Sequence, residues 1–285
     1  MSVKHSNNSL TYADDIQLYD NSTLANAESI RDRLTRCVSD VAKWCASRRL
    51  QLNDDPVWIC FYFTHLAGLH CIKQSLDVRP SNIQYNSVVR DLGIYLDSEL
   101  TMKQHIVKTS AACFYHIRRL HQIHRQVGQE VTQQLVMAFI TSRIDYCNSL
   151  LAGLSSSTLE PLQQVQNAAA RLVFGLGRFN HVIPSLIQLH WLPVIYRVQF
   201  KLCCIVHAIH HDHSPTYLME RVQVVSASRS RPRLRSSSTS RMDYALLRLR
   251  TTFGERAFSH TVRPPGTRCP TTSAPWLIQS VSEDC

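Results

Sequence analysis

Tyr12-Ala13-Asp14-Asp15 puts two carboxylates side by side between short runs of alternating character, Ser9-Leu10-Thr11-Tyr12 before and Ile16-Gln17-Leu18-Tyr19 after. Two strands joined by a tight acidic turn would lift both carboxylates to one exposed edge. Adjacent carboxylates repel each other, and a divalent cation is the usual reason for a fold to hold them together. In nucleotidyl transfer such a pair holds Mg²⁺ ions that activate an attacking 3′-OH and neutralise the leaving pyrophosphate. The plain alternative is a solvated Asp-Asp turn. A four-residue pattern also arises by chance, so the rest of the chain decides its meaning.

Periodicity predicts the elements that would position this turn. Residues 9–20 read as a hairpin. A helix follows over 24–49, with Leu24, Ala27, Ile30, Leu34, Val38, Val41 and Cys45 in steps of three and four that form one apolar stripe. Residues 82–97 read as two short strands, with Gly93 inside the second. From Thr101 the period becomes helical. Ile106, Ser110, Cys113, Ile117 and Leu120 line one face of a helix that ends near residue 124. A second helix is predicted over 129–143 with Val131, Leu135, Ala138 and Phe139 as its stripe. A third begins at Ser157 or Thr158, where Ser157-Thr158-Leu159-Glu160 matches a capping box, and ends at Gly175 and Gly177. Its buried face is Leu162, Val165, Ala169, Leu172 and Val173. Pro193 suits the first turn of a fourth helix lined by Ile195, Val198, Leu202, Ile205 and Ile209. The fold class is α+β: a small piece of hairpin, helix and short strands over 1–100, a helical bundle over 101–225, and a basic tail over 226–285 read as largely disordered.

Composition narrows the partners. The 285 residues carry a formal charge of +10 and are 44% hydrophobic, which suits a globular protein with an anionic partner. Nucleic acid leads that class, and a merely basic protein is the competing reading. No apolar run approaches the ~20 residues that span a bilayer, and the N-terminus has no apolar leader. The expectation is an intracellular protein, cytoplasmic or nuclear, with no membrane partner. The ten cysteines show no disulfide-like spacing and read as reduced, mostly buried thiols.

Several residue groups invite a site. Lys103, Lys108, Arg118, Arg119 and Arg125 lie largely off the apolar face of their helix and could contact phosphate; a solvated face is the alternative. In the Ser/Arg-rich run over 226–240, Arg229, Arg231, Arg233 and Arg235 alternate with other residues, as in a phosphate-binding arm or a solvated segment. Cys203, Cys204, His207, His210, His211 and His213 are dense in metal-ligand types. Closed zinc sites normally announce four ligands in two pairs, and the segment already reads as a core helix. Asp145-Tyr146-Cys147 offers a thiol, but no paired base can be placed beside it, and a buried structural Cys147 is the expectation.

The order of the motifs carries a resemblance. Tyr12-Ala13-Asp14-Asp15 with Gln17-Leu18-Tyr19, then Trp44 and Leu50-Gln51-Leu52-Asn53, then Asp91-Leu92-Gly93-Ile94-Tyr95-Leu96-Asp97 with His105-Ile106 stand first. Ser142-Arg143-Ile144-Asp145-Tyr146-Cys147-Asn148-Ser149-Leu150-Leu151, Leu162-Gln163-Gln164-Val165-Gln166-Asn167-Ala168-Ala169-Ala170-Arg171 and Leu189-His190-Trp191-Leu192-Pro193-Val194 follow. Over roughly residues 9–260, as motif matching allows, this series resembles the C-terminal part of a non-LTR (LINE-type, jockey/CR1-like) retrotransposon reverse transcriptase. The resemblance implies an RNA-directed DNA polymerase. It makes 1–100 a partial palm with the catalytic turn and a primer-grip-like hairpin, and the later helices a thumb and C-terminal bundle. It assigns Asp14 and Asp15 as catalytic metal ligands for Mg²⁺, and RNA or DNA as a sequence-independent partner.

Departures from the family pattern are as telling. A palm needs a third carboxylate on an upstream strand, yet the eleven residues before Tyr12 contain no acid. Fingers are absent from the sequence given. After Asp55 the family's basic run is replaced by Pro56-Val57-Trp58-Ile59-Cys60-Phe61-Tyr62-Phe63, and near Val262 the pattern is lost again in Arg263-Pro264-Pro265-Gly266. Two such breaks suggest frame departures in a decayed element copy. The expectation is a reverse-transcriptase fragment inactive alone, with a non-catalytic nucleic-acid-binding or protein-interaction module as the alternative.

Overall fold

A computed structural model describes residues 8–12, 15–19, 26–50, 76–78, 81–83, 86–97, 99–177, 179–220 and 258. The chain divides into two compact units, Met1–Thr101 and Met102–Cys285. The described residues are mainly helical, with small two-stranded antiparallel sheets confined to the first unit. The basic run over 226–240, the segment around Pro56 and the Pro/Gly-rich end lie outside the described residues.

In the first unit, β1 (Asn8–Tyr12) pairs with β2 (Asp15–Tyr19), and Tyr12 stands opposite Asp15. The expected hairpin is therefore present, with two residues connecting its strands. Helix α1 (Ala27–Ser47) is shorter at both ends than the predicted 24–49. Of the stripe residues whose burial is described, Cys45 is buried and Ile30, Leu34, Val38 and Val41 are half-buried. The described strands of this unit are three to five residues long and paired only in twos, so they offer little surface to cover a helix of 21 residues. Strands β3 (Leu76–Val78) and β4 (Ser81–Ile83) form a second pair.

Strands β5 (Val88–Asp91) and β6 (Ile94–Asp97) form a third hairpin, with Asp91 opposite Ile94. Gly93 is not inside a strand, as expected, but in the turn. Leu92 and Gly93 have φ of 44° and 84°. A two-residue hairpin turn with positive φ at both positions matches the right-handed twist of the strands, and glycine is its natural second residue. Asp97 closes this unit by accepting from the Thr101 N–H at 2.7 Å and the Thr101 hydroxyl at 2.8 Å.

The second unit opens with α2 (Lys103–Val136), which is two helical limbs in one run. Gly128, at φ 79° and ψ 173°, breaks the helix. Only glycine occupies that backbone region readily, so the predicted division into helices ending near 124 and starting at 129 is present. The second limb continues through a π-helical turn (Met137–Thr141) into α3 (Ser142–Asp145). The Cys113 thiol meets the Ile140 carbonyl at 4.0 Å, and the His116 ring stacks on Phe139 at 5.5 Å. These pairs step away from Gly128 in opposite directions along the chain, so the limbs run antiparallel as a helical hairpin.

The first limb buries Ile106, Ser110, Cys113 and Leu120, as its pattern predicts, together with His105. The second limb does not bury its predicted stripe. Val131 and Phe139 are each 43% exposed, and Ala138 is exposed too. The buried face is Thr132, Val136, Ile140 and Ile144, one residue out of step. Thr132 can sit inside because its hydroxyl donates to the Gly128 carbonyl at 2.6 Å, which removes the cost of an unpaired buried polar group.

Helix α4 (Ser156–Phe174) packs against α2. Its cap is Ser155 rather than the expected box at Ser157. The Ser155 hydroxyl accepts from the Thr158 N–H at 3.3 Å and also bonds the Ser157 and Thr158 hydroxyls. The predicted face is inside: Leu162, Val165, Ala169, Leu172 and Val173 are buried, joined by Leu159, Gln166 and Ala170. Gly175 ends the helix at φ 61°, with the Leu176 N–H returning to the Arg171 carbonyl at 2.9 Å. Short α5 (Ile183–Gln188), which the periodicity missed, leads to α6 (Val194–His210). Val194, Val198, Leu202 and Ile209 of α6 are buried, whereas Ile195 is exposed. A last turn, α7 (Thr216–Met219), ends the described run. Each fully buried Val, Leu or Ile of this core contributes about 1.5–3 kcal/mol.

Candidate nucleic-acid interface

The first limb of α2 concentrates positive charge because of its sequence. Residues 103–129 contain five Lys and Arg and no acid. Burial of the Ile106, Cys113 and Leu120 face turns the basic residues outward: Lys103, Lys108, Arg118, Arg119 and Arg125 are all exposed. Lys108, Tyr115 and Arg119 follow at steps of seven and four, so they share one side of the helix, with Arg118 next to them. They span roughly 16 Å at 1.5 Å per residue.

Tyr115 is part of this surface. It is 49% exposed. The Arg119 guanidinium lies 5.7 Å from its ring centroid and donates to its hydroxyl at 2.8 Å. An exposed aromatic ring among cations suits nucleic acid, where bases stack and phosphates pair. The returning limb adds one more cation. Arg143 is exposed and close enough to lower the pKa of His116. Burial is the main cause of that lowering, then Arg143, then Arg119. His116 therefore stays neutral, and the field comes from the arginines and lysines. Arg143 was invisible as a neighbour of this limb in the sequence, because the hairpin at Gly128 brings it near His116.

The other basic candidates, Arg229, Arg231, Arg233 and Arg235, lie outside the described residues. So does Asp14. Asp15 is placed by its backbone in β2, opposite Tyr12. Near that turn, the Gln17 amide of β2 donates to both carboxylate oxygens of Asp91 in β5, at 2.7 and 2.9 Å. The acidic hairpin and the hairpin of the Asp91-Leu92-Gly93 run are thus joined by a side-chain fork. Among the described residues no three or more His, Cys, Asp or Glu side chains gather where they could hold a metal ion. The Mg²⁺ site that the resemblance implies at Asp14 and Asp15 lies outside the described side chains.

The polar motif runs of the second unit have a different use. Asp145 receives a fork from Arg197 of α6: Nε donates at 2.7 Å, and Nη2 closes the ion pair on the other oxygen. Asn148 adds a weaker contact at 3.4 Å. Buried Gln166 donates to the Leu192 carbonyl at 2.8 Å, and Gln163 accepts from the Val194 N–H at 2.9 Å. Gln163 also donates to Gln166 and Asn167, each at 3.0 Å. The runs at 142–151, 162–171 and 189–194 are therefore wired to one another and to α6. Their side chains hold helices together.

The thiols correct an expectation. Of the described cysteines, Cys45 and Cys113 are buried, but Cys147, Cys203 and Cys204 are exposed and Cys37 is half-buried. Cys147 sits outside the core because it takes a left-handed conformation, φ 51°, at the sharp exit from α3. Burial pushes the Cys113 thiol up to about 11, against a smaller opposing pull from Arg143. No helix among the described residues is long and apolar enough to cross a membrane.

Comparison with protein-family models, with curated proteins and with solved structures finds no match.

Proposed function

We propose that the chain is a fragment of a non-LTR retrotransposon reverse transcriptase, and that its working property in isolation is sequence-independent binding to RNA or DNA. The observation that carries the binding is the outer side of α2, where Lys103, Lys108, Arg118, Arg119 and Arg125 are exposed with no acid between residues 103 and 129. In this reading the α2 hairpin is a thumb that follows a duplex by its phosphates and shape. The polymerase ancestry is supported by the ordered motif runs and by the Gln17–Asp91 fork, which ties the acidic hairpin to the primer-grip-like one. In the 285-residue sequence the eleven residues before Tyr12 contain no acid to join Asp14 and Asp15 as a third palm carboxylate. The chain alone is therefore expected to support no DNA synthesis on a primed RNA template with Mg²⁺, since a two-metal clamp needs its full ligand set.

A non-catalytic module is the second reading. It is favoured by the motif runs of the second unit, whose polar groups are spent on joining helices.

The test is fluorescence anisotropy with a labelled duplex over a salt series. Log affinity should fall linearly with log salt, and each phosphate contact contributes about 0.9 to the slope on B-form DNA. Replacing Arg118 and Arg119 with Ala should flatten the slope and weaken RNA and DNA binding alike. Salt-insensitive or strongly sequence-selective binding overturns the electrostatic reading, and absence of binding at low salt leaves the protein-interaction module in its place.

A further inference from the structure

The C-terminal end of α6 carries ligand-type side chains that nucleic-acid binding does not use. His207 and His211 are four residues apart, so their side chains stand one above the other on the helix. Both are exposed, and their ring centroids are 4.2 Å apart at an interplanar angle of 43°. The His211 N–H still donates to the His207 carbonyl at 3.1 Å, so the turn that carries both rings is closed.

We propose that His207 and His211 form an open, two-imidazole clamp for a divalent late transition-metal ion of the Ni²⁺, Cu²⁺ or Zn²⁺ class. Imidazole is a preferred ligand of these ions. The last turn of a helix carries partial negative charge and attracts a cation. Exposed Asp212 adds an acid beside the clamp. The site is open, with water completing the coordination sphere, because no third described ligand gathers at the two rings. The His213 ring is 6.5 Å from that of His211, too far to share one ion as it stands.

A second ring pair provides an internal control. His121 and His124 have centroids 4.9 Å apart. There the His124 Nδ1 donates to the His121 carbonyl at 2.7 Å, and Arg118, Arg119 and Arg125 surround the pair in sequence. That field repels a cation, so the clamp is assigned to α6 alone.

The experiment is calorimetric titration of the full chain with Ni²⁺ at a fixed pH above neutral, because protons compete with metal for nitrogen ligands. Ni²⁺ limits interference from the exposed thiols. The expected result is a saturable phase of one ion per chain and a rise in Tm with Ni²⁺ concentration. His207→Gln and His211→Gln should each abolish both, with unchanged helical circular dichroism. The His121→Gln/His124→Gln double variant and the Cys203→Ser/Cys204→Ser double variant should retain both. A phase that survives His207→Gln, a phase lost with His121 and His124, or no saturable phase at all overturns the proposal.

Discussion

The two units use polar residues in opposite ways. In the first, the acids that attract attention sit on two-stranded ribbons, and one fork, Gln17 to Asp91, joins two of the ribbons. In the second, Asp145, Gln163, Gln166 and Arg197 are spent on helix-to-helix joints. A polar motif run can thus mark a chemical site or a structural joint, and residue types alone do not distinguish them. What distinguishes them is whether a partner of matching geometry is already present in the same unit. Asp145 has one, and so does Gln166.

The largest effect should come from breaking a joint. Arg197 and Asp145 keep only 18% and 35% of their side-chain surface exposed. Removing one partner strands a partly desolvated charge and two charge-assisted hydrogen bonds. Arg197→Ala should therefore cost about 2–3 kcal/mol in urea denaturation. Asp145→Ala should cost a similar amount, and the double variant should show a coupling of about 1–3 kcal/mol. Additive losses would mean the ion pair is incidental and would erase the contrast between the units.

The hairpin at Gly128 comes next. A Cβ there would touch nothing within 4 Å, so only the backbone conformation opposes it. Gly128→Ala should cost about 1–3 kcal/mol. The same substitution should weaken nucleic-acid binding if Arg143 must be folded back near His116. An unchanged Tm would show that the two limbs do not need this break.

Much of the helical unit was legible in its sequence, for physical reasons that also explain the misses. Leu162, Val165, Ala169 and Leu172 repeat at helical spacing and are buried, because the helix meets a partner along its whole length. Gly175 was readable as an end because positive φ is costly for other residues, and Gly128 falls in the gap between helices predicted to end near 124 and start at 129. The stripe over 129–143 was misread by one position because Thr132 looks polar and Val131 and Phe139 look like core. A hydrogen bond to Gly128 reverses that ranking. The cap at Ser155 was missed because Ser157 and Glu160 fit the box pattern better than the actual turn. Of the candidate interface, the lysines and arginines of α2 were legible from the stripe they avoid. Arg143 and the Asp145–Arg197 pair were not, since both depend on contacts across the hairpin or across helices.

Acid should act on the second unit through buried His105 and half-buried His116. Burial lowers the pKa of His105 from the ordinary 6.5, and its Nδ1 has no hydrogen-bond partner among the described residues. His116 is lowered too, by burial, Arg143 and Arg119. Both groups are neutral in the fold where the unfolded chain would take up a proton. Their contribution is therefore complete above the unfolded value near 6.5 and is lost as pH falls below it. Denaturation midpoints should drop between neutral and mildly acidic pH, and His105→Leu should flatten part of that drop. A midpoint that stays flat over this range would mean these rings are solvated.

The smallest effect is expected where the sequence looks most chemical. Asp14→Ala and Asp15→Ala should leave both the Tm of the helical unit and nucleic-acid binding unchanged. The turn and the helical unit belong to different compact units. A carboxylate also has no donor to offer phosphate; at most it repels it, and salt screens that repulsion beyond about 10 Å at ordinary ionic strength. A measurable gain in affinity on removing the two acids would show that the turn lies close to bound nucleic acid, as a catalytic turn would. Primer extension that disappears with either substitution would go further, because it would require both carboxylates to hold metal in this chain. Unchanged binding with no extension by the parent chain is the outcome expected if chemistry has been lost from the first unit while the second still binds.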